Sequence, residues 1–287
     1  MQSMSEKNIR RLENNSMRYI DKDKIINDLP AAVITALEAK HQLLVAGDDQ
    51  TKQKVAGNGN TTWSKVKPYL ENASNRKCWY TESKSPGYSN DVEHFRPKGR
   101  IVKTDGEVEY WYWFLAFKPE NYRLSCTYSN RSNKNPATGI TGGKGDKFPL
   151  LNGQSHGTTK AETGPESPVI LDPCIEEDCT LLEFQADGRP VVSPGSKANK
   201  VDCHRVEQSK LLLNLDFPTF NEDREALYNS IRKLVKRGDS YGDGYAREDI
   251  KKDLQGLMAE GSSYSKAAEC YVRCFRDREW VERLFYT

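Results

Sequence analysis

The chain has no run of eighteen apolar residues, so it offers no candidate for a membrane-spanning helix. Met1 to Ile26 is polar and charged and lacks the apolar centre of a secretion signal, and a cytoplasmic protein is therefore expected. An excess of charge is missing too. The 43 Lys and Arg residues nearly cancel 41 Asp and Glu, so a surface for a polyanion must be a local patch and not a global field. The seven cysteines (Cys78, Cys126, Cys174, Cys179, Cys203, Cys270 and Cys274) are odd in number and irregular in spacing, which excludes the disulfide framework of a small secreted domain. Gly142 to Gly145 lacks the spacing and the following Ser or Thr of a P-loop, so nucleotide binding is not expected there. There is no internal repeat.

Against a hydrophobic content of only 36%, the aromatic share of 10% supplies large core side chains, and a folded protein with long polar loops is expected. Ile25, Ile26, Leu29, Val33, Leu37 and Leu43 recur at roughly helical spacing, interrupted by Pro30. Gly47 to Thr62 reads as a loop, and Trp63 to Leu70 as a further helical turn. Arg100 to Thr104 followed by Asp105-Gly106 suggests a hairpin. The run Tyr110 to Phe117 reads as core packing, since nothing spaces its rings like a base-stacking platform. Residues 151–168 should be a loop and Val169-Ile170-Leu171 a buried strand. Leu181 to Phe184 and Pro190 to Val192, joined at Asp187-Gly188, form a second expected hairpin.

Beyond residue 200 the pattern is helical. Thr219 to Glu222 has the form of a capping box after Pro218. Leu227, Ile231, Leu234 and Val235 make one apolar stripe, closed by Gly238. Ile250, Leu254, Leu257 and Met258 make another, closed by Gly261. Ala268, Tyr271, Val272 and Phe275 make a third, and Cys270 and Cys274, four apart on the same helix, should be buried on one face. Three regions are expected: a helical arm over 1–75, a chemical core over 76–195 and a helical region over 196–287.

The chemistry concentrates at Asp91-Val92-Glu93-His94-Phe95-Arg96-Pro97-Lys98-Gly99-Arg100. Glu93 can hold a hard cation, and His94 can take a proton from water near neutral pH. Arg96, Lys98 and Arg100 can meet a phosphate backbone. Phosphodiester hydrolysis needs an activated water and neutralisation of charge developing on phosphorus. Glu93 and the amide oxygen of Asn130 are oxygen ligands, which suit one Mg²⁺ or Mn²⁺ better than zinc. His94 is the candidate general base and Asn121 the candidate that orients it. The other histidines, His41, His156 and His204, have no such surroundings.

Four segments then fall in order: Cys78 to Glu82, Glu93 to Lys98, Asn121 to Cys126, and Gly142-Gly143-Lys144-Gly145-Asp146-Lys147-Phe148-Pro149-Leu150. With Phe114-Leu115-Ala116, Leu171 to Cys174 and Leu182 to Phe184, they resemble the HNH endonuclease family over roughly residues 76–190. The branch is that of the PtuB-type nuclease subunit of Septu and retron antiphage systems. The resemblance implies an α+β protein, with a ββα-metal core embedded in a mainly helical chain with short hairpins. It implies His94 as general base, Asn121 as its brace, and Glu93 and Asn130 as metal ligands. Lys144 and Lys147 join the candidate phosphate contacts. It also implies a DNA substrate, an ABC-type ATPase partner (PtuA-like), and association with a retron reverse transcriptase and its RNA–DNA.

In one respect the chain departs from that family, which often carries two Cys-x-x-Cys pairs binding a structural zinc. Here the pairs read Cys78/Thr81 and Cys126/Ser129, so no structural zinc is expected and Cys78 and Cys126 should be small buried neighbours. Two other functions stay open: an RNase, including a tRNA-cleaving toxin, and a non-catalytic module that binds nucleic acid or a partner.

Overall fold

Asp21 opens the first helix, its carboxylate accepting from the backbone N–H of Asp23 and Lys24; α1 is Lys22–Asn27. Pro30 precedes α2, Ala31–Ala46, where its missing N–H costs nothing. Asp48 caps α3, Asp49–Ala56, by accepting from Thr51 N–H. The expected loop over residues 47–62 therefore contains a helix of 8 residues, started by one capping aspartate. A 3₁₀ turn, Thr62–Val66, leads into α4, Lys67–Ala73, with Pro68 in its first turn. These elements belong to a computed structural model that describes residues 17–57, 59, 61–84, 89–102, 108–109, 112–242 and 244–285.

The central strands are short. β1, Asp91–His94, pairs antiparallel with β4, Tyr122–Ser125, in the register Asp91↔Ser125 to His94↔Tyr122. Between them β2, Ile101–Val102, pairs with β3, Val108–Glu109; the Asp105-Gly106 turn lies outside the described residues. One helical turn, α5 (Thr127–Asn130), follows β4 directly. β5, Asn133–Lys134, pairs with β6, Thr141–Gly142, and β7, Leu182–Phe184, with β8, Pro190–Val192, the second expected hairpin. Val169, Ile170 and Leu171 are buried as expected but form no strand; the nearest pairing is an isolated bridge from Pro168 to Leu150. Proline cannot donate to a ladder, and Asp172-Pro173 stops the segment on its other side.

Tyr110 and Trp111 lie outside the described residues. The rest of the aromatic run is core: Tyr112, Phe114, Leu115, Ala116 and Phe117 are buried around a 3₁₀ turn, Trp113–Leu115.

The C-terminal region carries α6 (Lys200–Leu212), α7 (Pro218–Ser240), α8 (Tyr245–Met258), α9 (Ser265–Arg273) and α10 (Glu279–Glu282). The capping box does not form: Phe217 holds the N-cap of α7, so Thr219 already lies inside the first turn. Nor does Gly238 end the helix. A Cβ there would stand 2.5 Å from the Trp280 ring, so this glycine makes room for an indole. Cys270 is buried, but Cys274 is exposed at the end of α9, contrary to the expectation of two buried thiols.

Two apolar cores result. One gathers Ile25, Leu37, Leu44, Trp63, Val66 and Leu70 of the N-terminal helices onto Phe117, Tyr122 and Leu124. The other joins Phe95, Phe148, Ile170 and Leu171 to the inward faces of α6 to α10. The β1/β4 ribbon sits at their junction, and so the arm and the C-terminal helices both position it. The chain is thus mainly helical with small hairpins, and no described helix is long and apolar enough to cross a membrane.

Candidate active site

β1 ends at a cavity of about 1200 Å³, lined by Asp91, Glu93, His94, Lys98, Arg100 and Asn130, among others. The opposite wall comes from the N-terminal arm, including Gln53 of α3 and Trp63 and Lys67 just after it. Nothing in the sequence ties that arm to the cleft; it arrives there because its apolar face packs against the ribbon.

His94 is buried, its ring set edge-on between Trp63 and Tyr122, each with ring centroids 5.1 Å away. Nε2 lies 2.9 Å from the Ala116 carbonyl oxygen. A carbonyl can only accept, so Nε2 carries the proton and Nδ1 the lone pair. Burial pushes the imidazole pKa down to about 3; the Ala116 hydrogen bond raises it, and the charges of Lys98 and Lys144 lower it further. Burial thus favours the neutral ring, with its lone pair on Nδ1.

Asn121 does not touch that ring. Its Oδ1 accepts from Arg96 N–H at 2.8 Å and its Nδ2 donates to the Arg96 carbonyl at 2.9 Å. It pins the backbone two residues past His94, while the Ala116 carbonyl orients the imidazole itself.

Glu93 is buried, and both of its oxygens have company. Tyr80 Oη donates to Oε2 at 3.0 Å. Lys144 Nζ stands 2.5 Å from Oε1, off the best hydrogen-bond axis but close enough to ion-pair it. The same ammonium donates to the His94 carbonyl at 2.8 Å. Lys144, expected at a phosphate, is thus fully buried, because an uncompensated carboxylate at Glu93 would cost several kcal/mol, roughly.

Asp91, two residues before Glu93 in the same strand, was given no role by the sequence. Its carboxylate accepts from Asn130 Nδ2 at 2.9 Å and from Arg131 Nη2 and Nε at 2.9 and 3.0 Å. Asp91, Glu93 and the Asn130 amide oxygen are oxygen donors on one cavity, which in kind fits a hard divalent cation. Among the described residues no group of three or more His, Cys, Asp or Glu could by itself hold a metal ion, so the Asn130 amide would have to complete such a set.

The remaining candidate cations separate. Arg100 lines the cavity and is exposed, paired with Asp146 at 3.1 Å. Lys98 lines it too, donating to the Ala56 carbonyl at 2.8 Å over the Trp63 ring. Arg96 turns away: its guanidinium meets the buried Glu166 at 2.7 Å, a carboxylate that needs a counter-charge. Lys147 is half-buried and does not line the cavity. Arg131 and Lys67 do line it, although the sequence had not singled them out.

A buried ion pair lies on the same face of the ribbon as Glu93. Arg123, opposite Glu93 in the register, donates to both oxygens of Asp172 at 2.7 and 2.6 Å. The pair joins the Asn121-Tyr122-Arg123 and Leu171-Asp172-Pro173 segments: Arg123 and Asp172 are halves of one fork-shaped contact.

No family model matches the chain. The chain is similar to the Septu protein PtuB of Bacillus mycoides (strain KBAB4), 32% identical over 135 residues. The match covers 46% of this chain and 42% of that protein, so it spans less than half of the relative's length. It supports a relation to Septu-type systems.

Proposed function

We propose that the chain is a metal-dependent endonuclease of HNH type that hydrolyses DNA phosphodiesters, as the effector of a Septu-type antiphage system beside an ABC-type ATPase. The observation that carries this reading is the way one histidine is held. His94 has its Nε2 proton committed to Ala116 and its Nδ1 lone pair uncommitted, at a cavity shared with the oxygen donors Asp91, Glu93 and Asn130. A non-catalytic binding module has no use for that arrangement. The similarity to a Septu protein supports the setting.

In this reading His94 accepts a proton from the attacking water. A base held near pKa 3 is a poor acceptor, and a phosphate entering the cavity would raise it by stabilising the imidazolium. Asn121 keeps the strand end from shifting beneath the base. Asp91, Glu93 and Asn130 would hold one Mg²⁺ or Mn²⁺, which would neutralise charge on the phosphate. Arg100, Lys98, Arg131 and Lys67 would meet the flanking phosphates, the first and third by exchanging a carboxylate partner for the backbone.

The test is cleavage of plasmid, linear DNA and total RNA in Mg²⁺ or Mn²⁺, with and without a candidate ABC-type ATPase partner. His94→Ala should cut the rate by about 10²–10⁴-fold while the fold and melting temperature persist. Undiminished cutting by that variant, or in excess EDTA, would overturn the reading. Cutting of RNA alone would reassign the substrate.

A further inference from the structure

Behind the cleft, two pairs spaced i, i+3 fold onto one another: Cys78 with Thr81, and Cys126 with Ser129. Cys126 N–H donates to Cys78 Sγ at 3.3 Å, and the Cys126 thiol to Ser129 Oγ at 3.6 Å. Thr81 Oγ1 lies 3.9 Å from Cys126 Sγ and 2.8 Å from Ser83 Oγ. The four residues are buried, 0, 5, 3 and 0% exposed. Each pair sits on its own turn, closed by Glu82 N–H to Cys78 O at 2.9 Å and by Ser129 N–H to Cys126 O at 3.2 Å.

Two turn-borne i, i+3 pairs meeting in a buried spot have the layout of a closed structural metal site, and the HNH resemblance implies zinc at these positions. The residues do not fit it. Zinc takes four thiolate, imidazole or carboxylate ligands, and neutral hydroxyls are poor substitutes. The cluster offers two thiols and two hydroxyls. The thiols also differ: hydrogen bonds from Cys126 and Thr81 outweigh burial and lower Cys78, while its bond to Cys78 and burial raise Cys126.

We infer that Cys78, Thr81, Cys126 and Ser129 form a metal-free clasp, closed by thiol and hydroxyl hydrogen bonds, that does the work of a structural zinc and is two side chains short of binding one. The clasp has a purpose at the cleft. Tyr80, inside the first pair, donates to Glu93. Asn130 directly follows the second pair, and the Ser129 carbonyl accepts Lys144 N–H at 2.8 Å. The four residues are therefore positioning residues for the groups in front of them. The clasp needs no catalysis at the cleft, so its test is separate from that of the nuclease reading.

The experiment compares the whole chain as wild type and as Thr81→Cys/Ser129→Cys, both grown with added zinc. Metal content by mass spectrometry should be trace in the wild type and about one zinc per chain in the double variant. The Co²⁺ form of the variant should show a thiolate charge-transfer band that the wild type lacks. TPEN, a zinc-selective chelator, should lower the melting temperature of the variant only. Thr81→Val should lower the melting temperature of the clasp whether or not zinc is present. Stoichiometric zinc in the wild type would overturn the inference, as would a folded double variant that binds none. Should the double variant fail to fold with zinc supplied, Thr81→Cys and Ser129→Cys are titrated singly. Each should bind zinc at least about tenfold more tightly than the wild type; equal affinities would overturn the inference.

Discussion

At the scale of the residue, the site is governed by one buried ammonium. Lys144 neutralises Glu93 and holds the His94 carbonyl, so it links two adjacent positions of β1 through a single charge. Removing it strands a carboxylate in the interior. Lys144→Met is expected to cost about 3–5 kcal/mol in urea unfolding, and Glu93→Gln in the same chain to restore a good part of that. Two losses that simply add would show that the pair is not coupled. In the sequence, Lys144 looked like one more cation in a glycine-rich loop. Its role was hidden because a lysine's partner, not its type, decides whether it faces a phosphate or a carboxylate.

At the scale of the element, the loop that delivers Lys144 depends on its preceding glycine. Gly143 has φ +94°, and a Cβ there would lie 1.8 Å from the Arg131 carbonyl oxygen. Gly143→Ala should destabilise the protein by more than about 1 kcal/mol, read as a lower urea midpoint, and a neutral substitution would mean that the loop relaxes freely. The ribbon shows what an element can reveal before it is folded. Glu93 and His94 are adjacent, so a strand sends them to opposite sides, and the helical turn after β4 brings Asn130 up to Asp91. Strand alternation makes Asp91 a neighbour of Glu93 on one face, a signal that was present in the sequence and unused. Helix α3 escaped notice for a different reason: its apolar content is small, and its start depends on one aspartate side chain.

Across the whole molecule, Glu82 ties three regions together. It accepts from Arg18 at 3.2 Å, Lys77 at 2.8 Å, Ser265 Oγ at 3.0 Å and Lys266 N–H at 2.8 Å, so it joins the N-terminal arm, the centre and the start of α9. Burial alone would raise its pKa; the Lys77 charge and these bonds outweigh that and hold it below the ordinary 4.5. Burial also lowers Lys77 despite the attraction of Glu82. With Arg18 and a backbone N–H converging on the same carboxylate, the ionised pair is the arrangement the geometry favours. Because the folded pKa lies below the unfolded one, this contribution is complete above 4.5 and is lost as pH falls through the depressed value. The buried Asp172, held below 3.8 by Arg123 against its burial, acts in the same sense. Melting temperatures between pH 7 and 3 should fall steeply on the acid side, and Glu82→Gln should flatten that slope. An unchanged slope would remove Glu82 from the account of acid stability.

The sequence by itself determined what is local: the helical stripes, the β7/β8 hairpin, the aromatic core and the crowding of carboxylate, imidazole and cations in β1. Spacing and residue type suffice for these, because each depends on neighbours a few positions away. Only the tertiary structure decided which cations reach the cleft, what orients His94, and how the two broken cysteine pairs are used. Those outcomes depend on contacts between residues far apart in the chain: Arg96 with Glu166 and Lys144 with Glu93. The Trp63 wall against His94 and the Cys78 turn against Cys126 are of the same kind. Burial makes each contact obligatory, and burial is a property of the packed chain.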